Sequence, residues 1–111
     1  QLLNSAYSGQ IFETYIFCEL QKHLDYLQKR TQIFHYRTND KKEIDFIIEI
    51  DNEIFAIEVK QSSSVKKDDF KHIIDLQNRY DKNCLGIVFY NGEMVIAFSD
   101  DLVAIPFGIF L

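Results

Sequence analysis

No apolar run in this 111-residue chain approaches the ~18–20 residues that a membrane-spanning helix needs, and no basic-then-apolar leader opens it. Membrane partners are therefore not expected. Cysteine is scarce: Cys18 and Cys84 each sit inside an apolar pattern, and neither has a partner at metal-ligand spacing. They read as reduced core thiols of a cytoplasmic protein, and a zinc site is not expected. Internal repeats, low-complexity tracts and linkers are missing, so residues 1–111 read as a single domain with a modest core. Positive charge is in deficit, with a formal net charge of −5. A domain that coats DNA through phosphate contacts alone should be basic, which argues against that role. Metal-dependent phosphodiester chemistry is not excluded, because clustered carboxylates lower the formal charge and bound cations restore it locally.

What is present centres on Glu43 to Lys60. Two alternating runs, Glu-Ile-Asp-Phe-Ile-Ile-Glu-Ile and Glu-Ile-Phe-Ala-Ile-Glu-Val-Lys, flank Asp51-Asn52, a two-residue turn candidate that tolerates positive φ. That loop length sets the register: if Ile50 pairs with Glu53, Asp45 falls opposite Glu58 and Glu43 opposite Lys60. Period-two alternation then puts Ile44, Phe46, Ile48, Ile50, Phe55, Ile57 and Val59 on one apolar core face. The other face carries Glu43, Asp45, Glu58 and Lys60. Like charges opposed at about 4.5–5.5 Å between Cβ atoms destabilise a strand pair. A hard divalent cation with oxygen ligands between Asp45 and Glu58 would remove the fault, and Lys60 would reach a phosphate or water beside it. A solvated strand face also carries Glu-x-Lys, and only the register favours the site.

Residues 8 to 28 follow a helical period, with Ile11, Phe12, Tyr15, Ile16, Leu20, Leu24 and Leu27 forming a broad stripe and Ser5 or Ser8 as caps. Glu13 stands on the side of Phe17, Leu20 and Leu24, so it is either a stripe-edge residue reaching water or a third oxygen ligand. Ile33 to Arg37 reads as a strand pairing with 43–50 as a meander, with His35 on the sheet surface. Arg37 serves equally as a phosphate contact or as a partner of Glu43 or Asp40. A second helix spans Lys66 to Tyr80, begun by Asp68 or Ser64, with Phe70, Ile73, Ile74, Leu76 and Tyr80 inward. Gln77 on it approaches the site or borders the core. Cys84 to Tyr90 reads as a central strand, Asn91-Gly92 as a hairpin turn into Glu93 to Phe98, and Ser99-Asp100-Asp101 as another turn. The tail from Leu102 reads as a short strand and closing turn. Arg37, Lys41 and Lys42 before the hairpin and Lys66, Lys67 and Lys71 after it form two basic flanks; with Gln77, most of these are the weaker nucleic-acid candidates.

The order helix, three-strand meander, helix, strands, with acids on the first helix and on strands two and three, resembles the restriction-endonuclease-like PD-(D/E)XK nuclease superfamily. Glu13, Asp45 and Glu58-Val59-Lys60 carry that resemblance. Gly9-Gln10-Ile11-Phe12-Glu13, Tyr36-Arg37-Thr38, Glu43-Ile44-Asp45-Phe46, Ile57-Glu58-Val59-Lys60 and Ala104-Ile105-Pro106 are also similar to blocks of the uncharacterised domain that follows the AAA+ module in a large family of prokaryotic ATPases. The resemblance implies an α/β (α+β, mixed-sheet) fold with an αβββαβ core and an additional C-terminal strand. It implies a piece cut from the C-terminus of a longer ATPase, in keeping with a chain that begins with Gln1. It further implies Mg²⁺ or Mn²⁺ held by Asp45, Glu58 and the Val59 carbonyl, Glu13 on a second metal or its water, and Lys60 on the nucleophile or the crowded phosphorus. DNA, the upstream AAA+ module and a second copy of the chain are the implied partners. ATP would belong to the upstream module alone, since Gly-x-x-x-x-Gly-Lys-Ser/Thr is absent. Ile44 replaces the proline that often precedes the first aspartate of the superfamily motif. A catalytically idle module for DNA docking, oligomerisation or partner binding is the alternative reading.

Overall fold

The computed structural model describes residues 18, 19, 22, 31–37, 43–50, 53–79 and 83–110. Six strands form one mixed sheet: β1 (Thr31–Arg37), β2 (Glu43–Ile50), β3 (Glu53–Val59), β4 (Cys84–Tyr90), β5 (Ile96–Ser99) and β6 (Leu102–Pro106). Their spatial order is β1-β2-β3-β4-β6-β5. The first three strands are an antiparallel meander. β3 then pairs in parallel with β4, and β4 with β6. A parallel neighbour cannot be reached by a tight turn, and the β3–β4 crossover carries a 3₁₀ turn, Lys67–Phe70, that runs into the helix Lys71–Arg79. The mixed α/β architecture expected from the sequence is thus present. Of the expected first helix, Cys18, Glu19 and Lys22 are described, all helical, with Glu19 and Lys22 ion-paired at 2.8 Å.

Both sheet faces are apolar along most of their length, which corrects the expectation of one core face and one charged face. On the helix side, Ile47, Ile54 and Ala56 join Val88, Phe70 and Ile73 in one cluster. On the other side, Phe46, Ile48 and Ile57 join Phe89 and Phe107 in a second. Each fully buried Phe or Ile contributes about 1.5–3 kcal/mol. The physical reason is the parallel crossover: a helix laid on the sheet buries the face that a hairpin alone would leave wet. Phe70, at the start of the helical segment, also meets the Phe98 ring of β5 with centroids 5.0 Å apart.

Ile44 departs from the alternation. It belongs to the helix-side cluster, whereas Phe46 lies on the opposite face. The cause is a bulge: Phe34 pairs with Ile47 but Tyr36 pairs with Ile44, so Asp45 and Phe46 together oppose one residue of β1. An extra residue resets the period-two alternation beyond it.

The Asn91-Gly92 hairpin is also overturned. β4 is bordered by β3 and β6, and β5 pairs instead with β6 across the Ser99–Asp101 turn. Gly92 serves a close approach, because a Cβ there would collide with the Tyr90 ring. The Tyr90 hydroxyl donates to the Met94 carbonyl at 2.5 Å, which holds the connection in a bend. Ser99 Oγ donates to Asp101 Oδ1 at 2.7 Å in the turn that does form the hairpin.

Candidate functional site

The β2–β3 register is the one the two-residue loop dictates, running from Ile50↔Glu53 to Phe46↔Ile57. One position further, the Asp45 side chain takes over from the backbone: the Val59 amide donates to Asp45 Oδ2 at 2.7 Å. The β1–β2 bulge falls at this residue, and bulges are a common means of re-aiming a side chain. Asp45 is thus lodged against the peptide that follows Glu58. Along β3, alternation from Ile54 and Ala56 puts Glu58 and Lys60 on the helix side. Glu58 pairs with Val88 of central β4, and its Oε2 is buried.

Lys60 is fixed at both ends. Its amide donates to the Phe89 carbonyl at 2.7 Å, and its Nζ donates to Asp69 Oδ2 at 2.6 Å. Asp69 belongs to the 3₁₀ turn, and its Oδ2 also accepts the Lys66 amide at 2.8 Å. Burial acts to raise the Asp69 pKa, but the bonds from Lys60 and the Lys66 amide outweigh it and hold the carboxyl below its ordinary value. Sequence reading missed Asp69. The signal was present: the third residue of a helical turn, counted from the cap, is where an acidic side chain folds back onto the cap amide. That same oxygen identifies Lys66 as the cap residue, where Asp68 or Ser64 was expected.

The other predicted residues are placed unevenly. Arg37 pairs through its backbone with Glu43, at the Asp45 end of the sheet. Lys66 caps the 3₁₀ turn, Lys67 opens it and Lys71 follows it, all three exposed. Gln77 borders the core at the far end, its amide donating to the carbonyls of Cys84 at 2.8 Å and Asp101 at 3.0 Å. The strand register separates Cys84 from Val88, the partner of Glu58, by four positions, roughly 13 Å. An open cleft of about 330 Å³ lies at that far end too, lined by Glu53, Asn83, Cys84, Asp100 and Asp101. Glu13, Lys41 and Lys42 lie outside the described residues.

Among the described residues no group of three or more His, Cys, Asp and Glu side chains gathers as a metal site. Asp45 reaches the peptide that follows Glu58, and Glu13, the expected third carboxylate, lies outside the described residues. The donor chemistry of Asp45 and Glu58 nonetheless fits a hard cation. All its ligand atoms are oxygens, Asp45 is oriented by an amide, and Glu58 presents a buried carboxylate oxygen.

Cys84 is half-buried, and burial together with the nearby Asp101 pushes its thiol up to about 11, against a hydrogen bond with Ala56 that lowers it. Cys18 is exposed, which corrects its reading as a core thiol.

No curated protein matches the chain. A family match does extend from residue 8 to residue 110, across the meander, the crossover and the closing strands. The chain belongs to the family of the domain of unknown function DUF4143.

Proposed function

We propose that this domain is a Mg²⁺- or Mn²⁺-dependent nuclease module that hydrolyses phosphodiesters in DNA, attached to an AAA+ ATPase and built on the PD-(D/E)XK plan. The observation that carries the reading is Asp45 lodged at 2.7 Å on the Val59 amide, the peptide between Glu58, whose Oε2 is buried, and Lys60. Asp45, Glu58 and the Val59 carbonyl would hold the metal, with Glu13 as a further ligand. The bound cation supplies charge neutralisation at the phosphate and a more acidic attacking water. The residues do the rest. Asp45 is held by the Val59 amide and Glu58 by its pairing with Val88 on β4, so both backbones and one Asp45 oxygen are fixed before substrate arrives. Lys60 offers a cationic donor to a phosphoryl oxygen as negative charge builds there. Lys66, Lys67 and Lys71 are exposed, where non-bridging oxygens of flanking phosphates can reach them.

Asp45→Ala is the test. With Mn²⁺ and supercoiled plasmid, nicking should fall by at least about a hundredfold, the scale of losing a group that acts in the transition state, while the circular dichroism spectrum stays unchanged. Equal activity in wild type and variant would defeat the reading.

The engagement of Lys60 by Asp69 favours a second reading, in which the pair is structural and the domain is an idle docking module for the ATPase. A wild-type protein that neither binds Mn²⁺ nor cleaves DNA, RNA or branched substrates would establish that alternative.

A further inference from the structure

We propose that Asp69 is the positioning residue of Lys60, holding its ammonium at the Glu58 end of β3 so that a second N–H faces an incoming substrate phosphate; the proposal rests on the nuclease reading of that end of the sheet. Lysine carries four rotatable side-chain bonds and a compact charge, so a free ammonium samples many positions. Here the backbone of Lys60 is pinned to Phe89 at 2.7 Å and its Nζ to Asp69 at 2.6 Å. The side chain spans two fixed points.

Asp69 is itself a built arm. Its amide donates to the Lys66 carbonyl at 2.9 Å, and its Oδ2 accepts the Lys66 amide at 2.8 Å, closing the turn in both directions. The next residue, Phe70, is fully buried and anchors the turn to the helix-side core. The pair is only partly screened from water, with side-chain exposures of 31% for Lys60 and 18% for Asp69. An incoming phosphate can therefore reach the ammonium, whose three N–H donors let a diester oxygen take a charge-assisted bond beside the one held by the carboxylate. A staple serving stability alone would gain nothing from that access.

Asp69→Asn separates the two roles, since the amide oxygen can still accept the Lys66 amide while the charge facing Lys60 is gone. Lysine acylation by trace acetic anhydride, read residue by residue by mass spectrometry in the intact protein, reports the contact whether or not any substrate is cleaved. Lys60 should acylate several-fold faster in Asp69→Asn than in wild type, relative to exposed Lys67 as the internal standard. In Mn²⁺-dependent plasmid cleavage, below the melting temperature of both proteins, kcat should fall by about tenfold with KM changed less than about twofold, the signature of lost transition-state positioning. Equal Lys60 acylation in the two proteins overturns the proposal. So does faster acylation with unchanged kcat, which reduces the pair to a structural contact. Faster acylation with no cleavage by wild type defeats the nuclease reading, and with it the positioning role, leaving the contact alone standing.

Discussion

One oxygen of Asp69 accepts two hydrogen bonds, from Lys60 Nζ and the Lys66 amide, and its carboxyl is held below the ordinary value of 3.8. A carboxylate with a depressed pKa adds stability that is fully present above its unfolded-state value and is lost as pH falls through the folded value. The melting temperature should therefore decline as pH drops below about 4, and Asp69→Asn should flatten part of that decline. An identical acid profile in the variant would refute this assignment. The two cysteines make a second case at this scale. Thiolate, not thiol, reacts with alkylating reagents, so iodoacetamide at pH 8 should label exposed Cys18 and spare Cys84, whose thiol is pushed up to about 11. Comparable labelling of both would show that Cys84 is not shielded in solution. The β2–β3 register from Ile50↔Glu53 to Phe46↔Ile57 was legible because a two-residue loop fixes its phase. Asp69 was not, because its partner lies nine residues back across an irregular loop and no period links the two.

The crossover is the element on which the site depends. Its helix approaches β4 closely enough that a Cβ on Gly86 would collide with Cγ2 of Ile73 and crowd Cδ2 of Leu102 at 2.9 Å. Gly86→Ala should cost about 1–3 kcal/mol through overpacking, measured by urea denaturation; a neutral effect would mean the helix rides further from the sheet. Element by element, sequence patterns located the meander, the second helix and the buried strand β4. Two features escaped them. The bulge at Asp45 was hidden because Ile44-Asp45-Phe46 alternates like an unbroken strand, although the ladder slips there by one residue. The insertion of β6 between β4 and β5 was hidden because Asn91-Gly92 carries a strong local turn signal, and a pairing partner ten or more residues away leaves no local trace.

At the scale of the whole molecule, a mixed sheet with an apolar cluster on each face carries Asp45, Glu58 and Lys60 at one end of β2 and β3, and exposed Lys66, Lys67 and Lys71 lie in and next to the 3₁₀ turn that Lys60 reaches. On the proposed nuclease reading, a net charge of −5 is compatible with a phosphate-bearing substrate, since a bound cation and the lysines would act locally. Cleavage should accordingly weaken steeply with added salt, as lysine contacts to phosphate are displaced by counterions. The most direct measurement is calorimetric titration of Mn²⁺ into the wild-type protein, Asp45→Ala and Glu58→Ala. Saturable binding in wild type that disappears in both variants is the predicted result. Absence of binding to a folded wild type, or binding that survives both substitutions, would contradict the assignment of Asp45 and Glu58 to one metal site.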